Sequence, residues 1–249
     1  MQNFRILVLA CVISHNEVFG SSRIVNGTNA EEGEFPFAVS LRYKSSHTCG
    51  GTILNENFVL TAAHCVCTNQ TPRNSSLYSI QYGMVNITRD PVNTLDVKQI
   101  FCHQFDSEKL IYDCAVLELE SSLPNDKSWR SVELSQKFVA EKSTTGVIIG
   151  WGKVEQEGPL ARTLQKLDVD VYDETTCRNT SRDNTHHICF GSAFGGACNG
   201  DSGTALLVDG MQVGIASFIT DKCGVADKDH PNVYSKVSSY YEWISKVSA

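Results

Sequence analysis

The sequence predicts an all-β fold, either a barrel or a sandwich. After residue 23 the chain consists of short apolar runs separated by Gly, Asn, Asp and Pro, which is typical of many short strands joined by turns. Some of these runs alternate apolar and polar residues, with the period of a strand that buries one face. Only the C-terminal segment has the clear periodicity of a helix.

The predicted elements follow in chain order. Residues 114–120 and 167–171 alternate apolar with acidic side chains, so each predicts a half-buried strand. Residues 147–149 and 213–215 are short apolar runs and predict buried strands. The last element is a predicted helix, because apolar residues recur at helical spacing at Val237, Tyr240, Tyr241, Ile244 and Val247.

Composition bounds the class of protein. The chain has 249 residues, of which 41% are hydrophobic, enough for a sizeable core and one or two domains. Its net charge is −7, and no basic stripe is present, so nucleic acid is not an expected partner. No segment reaches the ~18 apolar residues of a transmembrane helix.

The N-terminus predicts secretion. Arg5 precedes a mostly apolar run over residues 6–14, and Gly20 offers a small residue for cleavage, so residues 1–20 are predicted to be a signal peptide. The alternative is a membrane-anchoring or packed N-terminal helix. Nine of the ten cysteines lie beyond this segment, which suits an oxidising compartment. Five glycosylation sequons agree with it, at Asn26, Asn69, Asn74, Asn86 and Asn179. Three of them fall within residues 69–88, which are therefore expected to be exposed loops and turns.

Three segments supply the parts of a nucleophilic site. A serine hydroxyl needs a base within hydrogen-bond reach, and that base needs an orienting carboxylate. His64 stands beside Cys65 after an apolar stretch, Asp113 precedes a predicted strand, and Ser202 lies in the glycine-flanked turn of residues 200–203. Each signal is weak or moderate alone, and their order along the chain is His, Asp, Ser.

Together with other motifs, this order resembles the trypsin/chymotrypsin family of serine endopeptidases over nearly all of residues 24–249. The matching motifs are Arg23-Ile24-Val25-Asn26-Gly27, Cys49-Gly50-Gly51-Thr52, Thr61-Ala62-Ala63-His64-Cys65, Gly150-Trp151-Gly152 and Pro231-Asn232-Val233-Tyr234. The resemblance implies two six-stranded antiparallel β-barrels, at about 24–125 and 126–249, with the active site between them and a C-terminal helix. It also implies a monomer that acts on proteins or peptides and is bound by protein inhibitors.

The resemblance implies a role for each residue of the site. Ser202 attacks the scissile carbonyl, His64 accepts its proton, and Asp113 orients the imidazole. The backbone N–H groups of Gly200 and Ser202 form the oxyanion hole. Ser217 matches the family serine that hydrogen-bonds the catalytic Asp. The alternative is a non-catalytic member that binds a protein partner, and the intact triad favours the enzyme.

The resemblance also implies activation by cleavage after Arg23, by a trypsin-like protease. The new ammonium group of Ile24 then pairs with Asp201, whose burial without a partner is costly. His47 matches a family histidine that holds this acid before cleavage. The propeptide is then only residues 21–23.

Three disulfides follow from the resemblance: Cys49–Cys65, Cys177–Cys189 and Cys198–Cys223. Gly146 and Val208 stand where a fourth family bridge would be. The remaining cysteines beyond the signal peptide are Cys67, Cys102 and Cys114, so one thiol is free or bonded to another chain. Cys114 is interpreted as an inert core thiol, which makes Cys67–Cys102 an extra bridge.

No cofactor or metal is expected. The loop at residues 83–86 lacks the paired acids of the family's calcium loop. His186 and His187 stand without other ligands and are interpreted as surface residues. Gly203-Thr204-Ala205 departs from the family's usual Gly-Gly-Pro, which predicts altered packing without lost activity.

The specificity pocket is predicted from the same resemblance. Gly196 stands at its base and carries no charge, so cleavage after Lys or Arg is not expected. Ile219 and Asn232 replace the glycines of an open pocket, so we expect small or medium apolar substrate residues, with large aromatic residues or Leu as the alternative. The full set of predicted pocket residues is Gly196, Ala197, Ser217, Phe218, Ile219 and Asn232.

Overall fold

The fold is described by a computed structural model over residues 24–88, 92–178 and 185–249. The predicted signal peptide and propeptide, including Arg23, lie outside the described residues, and so does the sequon at Asn179. Within the described residues, no helix is long and apolar enough to cross a membrane.

The first barrel is closed by six antiparallel strands in the order β2-β3-β4-β9-β8-β7. Their bounds are Ala38–Tyr43 (β2), Ser46–Asn55 (β3), Phe58–Thr61 (β4), Tyr78–Gln81 (β7), Thr94–Cys102 (β8) and Ala115–Leu119 (β9). A small hairpin outside the barrel, of strands Cys67–Thr68 (β5) and Thr71–Pro72 (β6), follows the first helix.

The second barrel is a ring of six antiparallel strands in the order β11-β10-β13-β14-β15-β12, closed by pairing of β12 with β11. Their bounds are Thr145–Gly150 (β10), Gln165–Val171 (β11), His187–Gly191 (β12), Ala205–Val208 (β13), Met211–Ile219 (β14) and Asn232–Lys236 (β15). The two-residue strand β1, Thr28–Asn29, pairs with the outer edge of β11. The prediction of two six-stranded barrels is confirmed.

The four strands predicted from periodicity are present as β9, β10, β11 and β14. In β11 the burial alternates as the sequence predicts, with Leu167, Val169 and Val171 buried and Asp168 and Asp170 exposed. The residues that face inward are the β-branched and aliphatic ones that fit a pleated, half-buried surface.

The C-terminal helix is present, and its first turn differs from the prediction. Residues Val237–Ser239 form a 3₁₀ turn, and the α-helix α3 covers Tyr241–Val247. Two shorter α-helices, Ala63–Val66 (α1) and Glu174–Arg178 (α2), were not predicted from the sequence, because four or five residues are too few to display helical periodicity.

Two expectations from the sequence are wrong. The sequon-rich region 69–88 is not only loops and turns, because it contains the barrel strand β7, although Asn69, Asn74 and Asn86 themselves are exposed. His187 is not a surface residue: it is 5% exposed, and its Nε2 lies 2.8 Å from the carbonyl oxygen of Leu110.

Each end of the described chain packs against the barrel formed by the other half of the chain. Ile24 is fully buried and packs in the core of the second barrel, and β1 pairs with that barrel too. In the opposite direction, Tyr240 and Ile244 pack in the core of the first barrel, although they follow β15 of the second. The two barrels are therefore fastened together by their termini as well as by the surface between them.

Four disulfides brace the structure. They join Cys49 to Cys65, Cys67 to Cys102, Cys177 to Cys189 and Cys198 to Cys223. Among the described cysteines, Cys114 alone is unbonded, and it is fully buried. These are the pairings that the sequence favoured, including the extra bridge between Cys67 and Cys102.

Candidate active site

Strand pairing in the first barrel brings His64 and Asp113 to one rim. β4 and β9 run antiparallel with Thr61 opposite Ala115. His64 follows the end of β4 in the short helix α1, and Asp113 precedes the start of β9. Since the end of one strand lies beside the start of its antiparallel neighbour, the two side chains meet although they are 49 residues apart.

The Asp113 carboxylate is fully buried and holds His64 by two bonds. Its Oδ2 lies 2.7 Å from Nδ1 of His64, and its Oδ1 accepts the His64 backbone N–H at 2.8 Å. The Ser217 hydroxyl donates to the same Oδ2 at 2.6 Å, as the resemblance predicts. The Ser235 hydroxyl donates to the Asp113 backbone carbonyl at 2.9 Å. The imidazole orientation is therefore fixed from both barrels.

The two groups shift each other's protonation. Burial favours the neutral form of Asp113, but the His64 charge and the hydrogen bonds from His64 and Ser217 outweigh it, so the pKa of Asp113 is lowered. Burial alone would lower the pKa of His64, yet attraction to Asp113 and the hydrogen bond to it raise this pKa above its ordinary value. The pair is thus arranged to stabilise an imidazolium beside a carboxylate.

The second barrel supplies Ser202 at the same rim. Ser202 lies just before β13, and its carbonyl oxygen accepts the N–H of Gly50 from the first barrel at 2.7 Å. A Cβ added to Gly203 would collide with the Thr61 hydroxyl and lie 3.1 Å from the nitrogen of Ala62. The Ser202 turn therefore touches the segment that leads into His64. Among the described residues, the Ser202 hydroxyl makes no hydrogen bond to His64 Nε2 in this resting structure.

Two backbone N–H groups beside Ser202 are free to receive an anion. Within the described ranges, no acceptor is bonded to the amide of Gly200 or of Ser202. Gly200 has a φ of +100°, a conformation that a residue with a Cβ rarely adopts. A Cβ there would also lie 2.7 Å from Cδ2 of Leu160. This explains why glycine stands at the position predicted to donate to an oxyanion.

His47 braces the Gly200 peptide from behind. Its Nε2 lies 3.1 Å from the carbonyl oxygen of Gly200, and its Nδ1 lies 2.7 Å from the hydroxyl of Ser40. Burial lowers the pKa of His47 to about 4, against a small rise from the Gly200 bond. The neutral ring therefore donates from Nε2 to Gly200 and accepts from Ser40.

Asp201 is buried in a pocket made by glycines. Its carboxylate accepts the N–H of Gly152 at 2.7 Å and the N–H of Cys198 at 2.9 Å. A Cβ on Gly150 or Gly152 would collide with that carboxylate, so the Gly-Trp-Gly motif leaves it room. Burial raises the pKa of Asp201 to about 7, because no cation of the described residues pairs with it and two backbone bonds only partly offset the desolvation.

The segment after residue 23 lies against the walls of the predicted pocket. Val25 forms an isolated antiparallel bridge with Gly196. A Cβ on Gly195 would collide with the Val25 carbonyl, and one on Gly224 would collide with the Val25 side chain. Ile24 is thereby buried next to Ala197 in the same core cluster.

A small cavity of about 60 Å³ opens beside Ser202. Its lining includes Ala197, Ser202, Ser217, Phe218, Ile219 and Tyr234. Of the described residues predicted for the pocket, Gly196 and Asn232 do not belong to this lining. Asn232 is fully buried: its Oδ1 accepts the Ala197 N–H at 2.7 Å, and its Nδ2 donates to Val225 O at 2.9 Å. Asn232 therefore joins the backbone segments of Ala197 and Val225, and a Cβ on Gly196 would lie 2.8 Å from its Oδ1.

Sequence reasoning missed several residues that support this site. Ser40, Ser235 and Arg73 contact His47, Asp113 and the carbonyl of Cys65, respectively. Ser40 and Ser235 are fully buried polar residues inside strands β2 and β15. Their strand neighbours Val39, Leu41 and Tyr234 pack in the barrel cores, so by alternation both serines face away from their own barrel core, and no local pattern marks them as buried.

Comparison with known proteins agrees with the fold. The Trypsin family model matches residues 24–244. Serine protease SP24D of Anopheles gambiae is 35% identical over 91% of this chain and 81% of its own length. Chymotrypsin-2 of Vespa crabro is 31% identical over 90% of this chain and 99% of its own length. Human chymotrypsin-like elastase family member 1 is 32% identical over 92% of this chain and 93% of its own length.

Among solved structures, the chain is similar to mouse neuropsin, a serine protease, with a TM-score of 0.78 and 27% identity over 90% of this chain and 99% of that one. A family model that covers most of the chain, relatives above 30% identity and two closed barrels lead to one conclusion. The chain belongs to the trypsin family of serine endopeptidases.

Proposed function

We propose that this serine endopeptidase is secreted and cleaves peptide bonds through an acyl-enzyme formed on Ser202. The observation that carries the proposal is the chain of hydrogen bonds from Ser217 through Asp113 to His64, with bonds of 2.6 and 2.7 Å. The turn of Ser202 touches the segment that leads into His64, and the N–H groups of Gly200 and Ser202 have no acceptor within the described residues.

The proposed reaction uses these groups in sequence. His64 Nε2 removes the proton of Ser202 as its oxygen attacks the scissile carbonyl, and Asp113 stabilises the imidazolium that forms. The Gly200 and Ser202 N–H groups bind the oxyanion, each being worth ~3–4 kcal/mol in the transition state. His64 then protonates the leaving amine, and water releases the acyl group by the reverse sequence.

An organophosphonate active-site probe tests the catalytic proposal. After cleavage behind residue 23, the wild-type protein should be labelled on Ser202, and Ser202→Ala should remain unlabelled. Asp113→Asn should label at least a thousand times more slowly, roughly the loss expected when the imidazole loses its orienting carboxylate. Absence of label on correctly cleaved, folded wild type would favour the non-catalytic binding protein instead.

We also propose that the pocket beside Ser202 accepts small or medium apolar residues. At ~30 Å³ for a water-sized group, a cavity of about 60 Å³ has room for about two such groups. Ile219 belongs to the lining, and Asn232 is bonded to the N–H of Ala197, another lining residue, which supports Ala or Val over an aromatic ring. The likeness to an elastase supports the same preference, and the likeness to a chymotrypsin keeps Phe and Leu as the alternative.

Peptides that differ only in the residue before the cut test this preference. Wild type should cleave after Ala and Val faster than after Phe, and Asn232→Gly should narrow or reverse the ratio by opening the base. Asn125→Gly is a matched control, because Asn125 is exposed, lies in no sequon and is outside the pocket. Faster cleavage after Phe than after Ala or Val by wild type would contradict the proposal.

We propose further that cleavage after Arg23 activates the protein, by pairing the Ile24 ammonium with Asp201. Two observations support this: Ile24 is buried in the second barrel, and Asp201 is a buried carboxylate without a cationic partner in the described residues. Arg23→Gln should abolish activation by trypsin.

Secretion is tested by expression in a cell culture. The protein in the medium should begin near residue 21 and carry no residue of the signal segment.

A further inference from the structure

Arg73 is held beside the helix that carries His64. Its backbone N–H donates to the carbonyl of Val66 at 2.8 Å. Its Nη1 donates to the carbonyl of Cys65 at 3.3 Å, and its Nε lies 3.4 Å from the hydroxyl of Thr68. The guanidinium group is therefore turned back onto α1, one residue from the proposed catalytic base.

The position of this cation is set by a rigid support. Arg73 directly follows the β5–β6 hairpin, in which Cys67 pairs with Pro72. Cys67 is bonded to Cys102 at the end of β8, so the foot of the hairpin is fastened to the first barrel. An arginine whose side chain is already ordered loses less entropy when it binds a ligand.

The charge of Arg73 is not neutralised by the protein. No carboxylate lies within ion-pair distance of it in residues 24–88, 92–178 and 185–249. The neighbouring turn contacts the hairpin through Ser107 and Asn69, but its Asp106 accepts two backbone N–H groups and pairs with Lys109 at 3.4 Å. In a chain of net charge −7, Arg73 is thus an exposed cation without an ion-pair partner among the described residues, bonded to the residue next to His64.

We propose that Arg73 is a specificity-determining residue that binds an acidic side chain of the substrate near the scissile bond. The proposal rests on the proposed function, because a peptide passes Arg73 only if its scissile bond lies between Ser202 and His64. A guanidinium has five N–H donors, and two of those of Arg73 are used within the protein. The remaining donors can form charge-assisted bonds with a Glu or Asp carboxylate.

A second effect of the Arg73 charge supports its position near His64. Burial is the largest influence on the pKa of His64 and lowers it, Asp113 raises it, and the positive charge of Arg73 lowers it again. Asp113 and Arg73 are the charged groups that act on this imidazole. Removal of the Arg73 charge should therefore raise the pKa of His64 and move the acid limb of kcat/KM to higher pH.

The experiment compares matched peptides with Glu or Gln at single positions. The positions are the second residue before the cut and the first and second residues after it, with Ala before the cut throughout. Wild type should favour Glu at one or more of these positions by about two- to fivefold, the range expected for an exposed ion pair. Arg73→Gln should abolish the preference, Arg73→Lys should retain part of it, and 0.5 M NaCl should weaken it in wild type.

Arg130→Gln is the matched control, because Arg130 is an exposed arginine that bonds the Trp129 carbonyl, outside the site. It should leave both the Glu/Gln ratio and the acid limb unchanged. Equal rates for Glu and Gln peptides in active wild type, or a preference that survives in Arg73→Gln, would overturn the inference. Failure of wild type to cleave any peptide would instead count against the proposed function.

Discussion

At the scale of single residues, Thr204 is where the chain departs most from the family pattern behind the nucleophile. Its hydroxyl donates to the carbonyl of Asp201 at 2.6 Å, and its own N–H donates to the same oxygen at 3.0 Å. A Cβ on Gly50 would collide with its methyl group. Thr204 therefore bonds within the turn of Ser202 and packs against Gly50 of the first barrel.

Thr204→Val should keep the packing and lose the hydroxyl bond. We expect the free energy of unfolding to fall by about 1 kcal/mol, the net value of a buried hydrogen bond. The turn would also hold Ser202 less rigidly, so kcat should fall several-fold with little change in KM. Urea denaturation and steady-state kinetics measure the two effects.

Thr204→Ser is the control, because it keeps the donor and removes the methyl group. A valine variant with wild-type kcat would show that the bond to Asp201 does not position the nucleophile. Loss of kcat in Thr204→Ser as large as in the valine variant would assign the effect to packing instead.

The site residues show what motifs can and cannot predict. His64, Asp113, Ser202 and Ser217 are predictable because each lies in a short motif whose chemistry depends on residue type. The two bonds of Asn232 to Ala197 N and Val225 O are not predictable in this way, since they depend on backbone positions that no motif encodes. The nearness of Arg73 to His64 depends on the path of the hairpin, which the sequence pattern leaves open.

At the scale of elements, strands with clear alternation were predictable from the sequence, and elements of only two to four residues were not. β9 and β11 were predictable because alternation extends over five to seven residues. β1 has two residues and owes its existence to tertiary pairing with β11, so no local pattern could reveal it. β7 was hidden because its four residues lie in a segment rich in Asn and Ser.

The β5–β6 hairpin and its disulfide yield a prediction at this scale. Cys67–Cys102 closes a loop with a sequence separation of 35 residues, worth roughly 3–4 kcal/mol on the loop-entropy model. The double variant Cys67→Ser/Cys102→Ser should therefore have a clearly lower thermal midpoint. Activity at 25 °C should be largely retained, because Cys49–Cys65 still anchors α1.

Cys114→Ala is the control for loss of a buried cysteine without loss of a bridge. It should cost about 1 kcal/mol or less, the order of a small core truncation. If the double variant were no less stable than this control, the bridge would not contribute to stability. If the double variant unfolded at 25 °C, the barrel would depend on the bridge more than the loop length implies.

At the scale of the whole molecule, the two barrels share one site because the chain crosses between them twice. The N-terminal segment packs into the second barrel at Ile24, and α3 packs into the first. The residues of the proposed active site divide in the same way, with His64 and Asp113 from the first barrel and Ser202 and Ser217 from the second. A change at residue 24 can therefore reach the rim at which the barrels meet.

Because of this coupling, the buried carboxyl group of Asp201 should make the free energy of unfolding depend on pH. In the uncleaved chain its pKa is raised from 3.8 to about 7, so the folded state binds the proton more tightly than the unfolded state. The contribution of Asp201 to the free energy of unfolding is then fully present below about pH 4 and is lost as pH rises toward 7. The largest possible change is about 4 kcal/mol, from 1.36 kcal/mol per pKa unit.

Denaturation of uncleaved Arg23→Gln protein between pH 4 and 7.5 tests this expectation. Its stability relative to Arg23→Gln/Asp201→Asn should fall as pH rises, because Asn does not titrate. In Ser202→Ala protein cleaved after Arg23, the new ammonium should lower the pKa of Asp201 and thereby reverse the slope: stability is then lost as pH falls through the lowered pKa. Parallel curves for the cleaved and uncleaved forms would mean that the Ile24 ammonium does not reach Asp201. The activation signal would then have to reach the oxyanion hole by another route.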